Sequence, residues 1–145
     1  MRRFIRTVCL MLVLCTVFSV TVFAETVTEP RASSYIAAHD TFLYKTYANQ
    51  FQVWFDVTAC TSVTHLGVSK IEVYQSSDKE EWTKMKTYNY EDYPEMMDYN
   101  SGSHTGYVTY TYAVPGCYYK AYVTFYAKNS TGTGKIFRYT AILKM

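Results

Sequence analysis

From residue 33 onwards, apolar and polar positions alternate with a period of two, the pattern of half-buried β-strands. The clearest stretch is 51–59. Phe51, Val53, Phe55, Val57 and Ala59 share one face, and Gln52, Trp54, Asp56 and Thr58 the other. An earlier strand over 33–45 places Ile36, Ala38, Phe42 and Tyr44 together, with the alternation blurred around 37–40. Residues 61–67 read as a connection. Residues 70–75 alternate again, with Ile71 and Val73 inward, and a polar turn over 76–81 leads into a strand over 82–88. Residues 107–114 put Val108, Tyr110, Tyr112 and Val114 on one face, and Pro115-Gly116 ends that strand. In 117–127, Cys117, Tyr119, Ala121, Val123 and Phe125 face one way and Tyr118, Lys120, Tyr122, Thr124 and Tyr126 the other. A glycine-bearing loop over 128–134 precedes a last strand, 135–143, which groups Phe137, Tyr139, Ala141 and Leu143.

About seven strands at this spacing, with no helical period after the leader, predict an all-β fold. The expected architecture is an antiparallel two-sheet sandwich of immunoglobulin or fibronectin type III kind over 33–145, the alternative being a flattened β-barrel. Residues 89–106 show neither period. They read as a long acidic and aromatic loop, of a length that more often serves function than connection.

The first 24 residues change the compartment. Arg2, Arg3 and Arg6 precede an apolar run from Val8 to Val20, and Val22 and Ala24 occupy the −3 and −1 positions of a cleavage site. This three-part leader predicts export, with Glu25 as the first mature residue and 25–32 as a mobile N-terminal segment containing Pro30. The apolar run is short for a span of about 20 residues and no stop-transfer cluster follows, so no stable membrane anchor is expected after cleavage. The formal charge of +2 also belongs to the leader, which holds three of the 14 basic residues and no acidic one. The remainder carries 11 basic and 12 acidic residues, and nothing in it points to nucleic acid as a partner.

All 16 tyrosines lie beyond the leader, as do both tryptophans, Trp54 and Trp82. Only two of the four cysteines do, Cys60 and Cys117, and an even pair in an exported chain predicts a disulfide. Strand parity argues the other way, since Cys60 falls with Trp54 and Asp56 but Cys117 with Tyr119 and Val123.

Several words are fairly specific: Arg31-Ala32-Ser33, Gln52-Val53-Trp54-Phe55-Asp56-Val57, residues 76–82, and Tyr118-Tyr119-Lys120-Ala121-Tyr122-Val123. In these the chain resembles a family of small secreted proteins of Clostridia-type Gram-positive bacteria, known as a domain of unknown function. The resemblance spans nearly all of the chain after the leader. It implies a secreted Gram-positive protein and assigns no catalytic residue.

No hydrolase, phosphate-loop or Cys-x-x-Cys motif is present, and His39, His65 and His104 are scattered. The chain therefore reads as non-enzymatic, with no cofactor. Glu91, Asp92, Glu95 and Asp98, with Asn100 behind them, are a weak calcium candidate in a spacing that also suits a solvated loop. The aromatic rings are the better lead. Trp54, Tyr118, Tyr122 and Tyr126 fall on the outward parity of their strands, where they can grip a ligand or pair across strands. Tyr90, Tyr93 and Tyr99 are the loop candidates. The functional expectation is a secreted or cell-surface binding module for an extracellular glycan or protein. The alternative is a small secreted antibacterial or host-directed effector.

Overall fold

The computed structural model describes residues 33–145. The leader, its cleavage site and segment 25–32 lie outside the described residues. Nine strands form two antiparallel sheets, and there is no α-helix among the described residues. β1 (Ile36–Tyr47), β2 (Gln50–Ala59) and β6 (Ser103–Tyr110) make a three-stranded sheet in the order β1-β2-β6. The second sheet is built on β4 (Thr83–Asn89), β3 (His65–Ser76), β7 (Tyr118–Lys128) and β8 (Thr133–Tyr139), in that order. Two short strands extend it: β5 (Met97–Tyr99) on the free end of β3 and β9 (Leu143–Lys144) on that of β7. The sheets do not close into a barrel. Their order, three strands facing four with two extensions, is that of a fibronectin type III sandwich.

The core is the inward parity of each sheet. Phe51, Val53, Phe55 and Val57 from β2 meet Ile71 and Val73 from β3 and Tyr119, Ala121, Val123 and Phe125 from β7, all essentially inaccessible to solvent. Burying each large apolar side chain contributes about 1.5–3 kcal/mol. Two tyrosines tie the layers together at the rim of this core. The Tyr88 hydroxyl donates to the Thr109 carbonyl on the opposite sheet at 2.8 Å, and its burial pushes the phenol far above its ordinary pKa. The Tyr119 hydroxyl accepts from the Val114 N–H at 2.8 Å and donates to Gln75 Oε1 at 2.8 Å. A tyrosine at the start of this strand, bonded to backbone a few residues upstream, is the tyrosine corner of immunoglobulin-like sandwiches.

Several boundaries differ from the sequence reading. β3 begins at His65, inside the expected connection, because Ser69 is a bulge: Val68 pairs with Phe125 and Lys70 with Thr124. The inward set therefore passes from Leu66 and Val68 to Ile71 and Val73, and the change of parity splits one strand into two in the sequence. A shift between Ile36 and Ala38 blurs β1 in the same way, and leaves Phe42 and Tyr44 facing solvent. The expected loop 89–106 holds a 3-10 turn (Pro94–Met96), β5 and the start of β6. β6 stops at Tyr110, so Tyr112 and Val114 are exposed rather than inward. β8 stops at Tyr139 with Ile136 inward, which turns Phe137 and Tyr139 outward and separates them from Leu143.

The expected disulfide is absent: among the described residues Cys60 and Cys117 are unbridged. Cys60 follows the last residue of β2. Cys117 lies at the opposite end, next to the segment where the Ala113 N–H reaches the Asn49 carbonyl just before β2 begins. Ten residues of strand separate these ends, roughly 30 Å, far beyond the Cα separation of about 6 Å that a bridge needs. Cys60 Sγ contacts the Ser34 carbonyl, and Cys117 Sγ accepts from Gln75 Nε2 at 3.5 Å. Alkylation of the denatured, unreduced monomer is expected to label both positions. A monomer with both protected would contradict this strand arrangement.

Candidate functional site

The outer faces of the two sheets carry aromatic rings in different electrostatic settings. On the three-stranded sheet, register aligns Phe42, Trp54 and Tyr107 in one row across β1, β2 and β6. The Phe42 and Trp54 rings are parallel with centroids 6.2 Å apart, and Tyr107 lies 4.8 Å beyond Trp54. Phe42 and Tyr107 are nearly half exposed, and Trp54 is partly covered between them. Polar groups flank the row. Trp54 Nε1 donates to Gln52 Oε1 at 2.9 Å, which fixes the indole, and Thr105 Oγ1 donates to the Asp56 carboxylate. Asp40 stands at the edge, 3.4 Å from Arg138 of β8. The outward positions of this sheet include carboxylates and amides but no lysine or arginine.

The six-stranded sheet is the reverse. Its outward positions carry Lys70, Lys120 and Lys135, and most of its rings are covered by an ammonium. Tyr118 is capped by Lys79 at 4.6 Å and Lys144 at 5.5 Å. Lys120 sits 4.1 Å over Trp82 and 4.9 Å over Tyr139, and Lys135 5.8 Å over Tyr126. Tyr122 is packed between Phe137, parallel at 5.9 Å, and Tyr139 at 4.6 Å. The expected row Tyr118, Tyr122, Tyr126 does exist along β7, but its members are half-buried and already partnered. Trp54, on the other sheet, does not join them.

The loop tyrosines separate. Tyr93 packs edge-on against Tyr88 at 4.9 Å, Tyr99 against His65 at 4.9 Å, and Tyr90 lines a cleft beside β7 together with Tyr126. The acidic residues separate as well. Among the described residues no three histidine, cysteine or carboxylate side chains converge on a point, so Glu91, Asp92, Glu95 and Asp98 are not gathered into one cluster. The histidines lie on three different strands. His39 packs 5.0 Å from Phe125, and its burial, with the positive charge of Arg138, lowers its pKa. His104 meets the Glu95 carbonyl at 3.0 Å. His65 Nδ1 lies 3.0 Å from the exposed Thr64 hydroxyl, and among the described residues no hydrogen bond joins the His39 or His104 ring to a serine or cysteine.

Phe42 and Tyr107 were the partners that sequence reasoning missed. Phe42 reads as inward until the bulge near Ile36 is known, and Tyr107 is joined to Trp54 only by register.

No family model matches this chain, and no curated protein matches it. Among solved structures it is similar to the sporulation control protein Spo0M from Bacillus subtilis. The two share 10% identity at a TM-score of 0.40, over 70% of this chain and 48% of that one. The chain thus spans about half the length of that protein.

Proposed function

We propose that this protein is an exported, non-catalytic module that binds a glycan through the outer face of its three-stranded sheet. The observation that carries the reading is the row Phe42, Trp54 and Tyr107, held by cross-strand register and flanked by Gln52, Asp56 and Thr105. Apolar faces of sugar rings pack against such side chains, while carboxylate and amide oxygens accept from sugar hydroxyls; a neutral or weakly basic glycan suits a face whose own outward positions carry no lysine or arginine. The three-part leader supports export, and the dispersed histidines support a non-catalytic role.

The test is retention on an array of neutral polysaccharides, set beside a pull-down against bacterial surface proteins. Trp54→Ala is expected to weaken retention at least tenfold, as loss of a central aromatic anchor does. It should move the melting temperature by only a few degrees, because cross-strand pairs on an open face contribute about 0.2–1 kcal/mol each. Retention unchanged in Trp54→Ala, or no glycan retained at all, would overturn the proposal.

A further inference from the structure

We propose a second, chemically distinct site on the opposite sheet: a cleft that takes a pyranose bearing a carboxylate, such as a uronic acid unit. The cleft measures about 440 Å³, within the range of pockets that hold small ligands. It lies over β7 where β3 and β8 flank it. Thr124 and Tyr126 of β7, Phe137 of β8 and Tyr90 from the chain after β4 line it. The chain after β4 is fastened there by the Tyr90 N–H, which donates to the Ser69 carbonyl at 3.3 Å.

The Thr124 hydroxyl is the first pointer to a ligand. Its residue is 4% exposed, yet among the described residues Thr124 Oγ1 is the one buried side-chain polar atom without a hydrogen-bond partner. Buried polar atoms are nearly always paired. The Ser69 hydroxyl, on a residue that also lines the cleft, donates instead to the Thr124 carbonyl at 3.3 Å. The strand's parity turns this hydroxyl to the outer face, beneath the cleft.

Charge is the second pointer. Lys70 and Lys135 line the cleft and Glu91 is its single carboxylate. Lys135 makes no salt bridge among the described residues. Lys70 lies 3.5 Å from Glu72 Oε1, an oxygen that Lys84 already holds at 3.1 Å. The cleft therefore has positive charge to spare, and an anionic ligand would complete it. Phe137, nearly half exposed, offers apolar surface to a ring, and Asn89 and the Thr124 hydroxyl offer bonds to its hydroxyls. A ring that is apolar on its faces, hydroxylated at its edge and bears a carboxylate on one carbon matches all three features.

This site shares no residue with the Phe42–Trp54–Tyr107 row and does not depend on it. The test titrates the purified protein with glucuronate oligosaccharides and with glucose oligomers of equal length. Oligouronate is expected to bind, glucose oligomers to bind at least tenfold more weakly, and added salt to weaken the uronate complex. Lys135→Gln should lower uronate affinity about tenfold, and Trp54→Ala should leave it unchanged. Thr124→Val should weaken binding severalfold while keeping or raising the melting temperature, because it replaces an unpaired hydroxyl by a methyl group of the same shape. That pairing of effects separates a ligand contact from a structural role. Equal binding of the neutral oligomer, no uronate binding, or unchanged affinity in Lys135→Gln would each overturn the proposal.

Discussion

Replacing Tyr119 by alanine is expected to cost about 3–5 kcal/mol, the range for removing a buried aromatic side chain, and to lower the melting temperature by roughly 10–20 °C. Tyr119 is fully buried and packs on Phe51 at 5.1 Å and Tyr110 at 5.9 Å. No neighbouring chain segment can collapse into the space, because both sheets contribute rigid strands to that layer. The phenylalanine variant separates the two roles of the residue. It keeps the ring and deletes the hydroxyl, leaving the Val114 N–H and Gln75 Oε1 without this partner. A cost of about 1–3 kcal/mol is expected, set by the desolvation of those two groups. Denaturant melts of both variants against the parent would measure it. If Tyr119→Phe were as stable as the parent, the corner hydrogen bonds would contribute nothing and packing alone would hold the crossing between sheets.

Gly67→Ala should be nearly as damaging although it adds a single carbon. A Cβ at Gly67 would run into the Met96 carbonyl oxygen and the Met97 Cα. Both are backbone, so no side-chain rotation can relieve the clash. Relief requires β5 to lift from β3, where His65, Leu66 and Gly67 pair with Tyr99, Asp98 and Met97. That movement would also expose Met96, which is fully buried. A loss of about 3 kcal/mol is expected, at the upper end of what overpacking costs, and hydrogen exchange should quicken first at residues 97–99. Gly102, where a Cβ would meet open space, is the control: Gly102→Ala should change stability by well under 1 kcal/mol. Equal stability of Gly67→Ala and Gly102→Ala would refute the close approach of β5.

The comparison of Phe42 with Phe51 shows where local pattern stops being informative. Both are phenylalanines in stretches that alternate, and both read as inward. Phe51 is inaccessible, whereas Phe42 is half exposed, because one irregular residue near Ile36 reverses the parity of everything after it in β1. The same cause hid the continuity of β3 across Ser69. Parity is a sum along the chain, so a single bulge that leaves no composition signal inverts every later assignment in that strand.

Alone, the sequence determined the properties that depend on near neighbours. Period-two alternation in 51–59 and 117–127 specifies two central strands and their inward faces, and those became the middle of each sheet. The turn residues and spacing specify an all-β sandwich, since strands with one apolar face must bury it against another sheet. Trp54 and Tyr126 were legible as outward for the same reason. Tertiary structure alone decided which outward rings meet. Phe42 and Tyr107 flank Trp54, and Tyr90 lines one cleft with Tyr126, through pairings of residues far apart in the chain. It also decided that Cys60 and Cys117 stand at opposite ends of a strand and cannot bridge, and that the buried Thr124 hydroxyl has no partner among the described residues. Those outcomes rest on register and strand order. Both are set by the packing of two whole sheets, which no window of neighbouring residues contains.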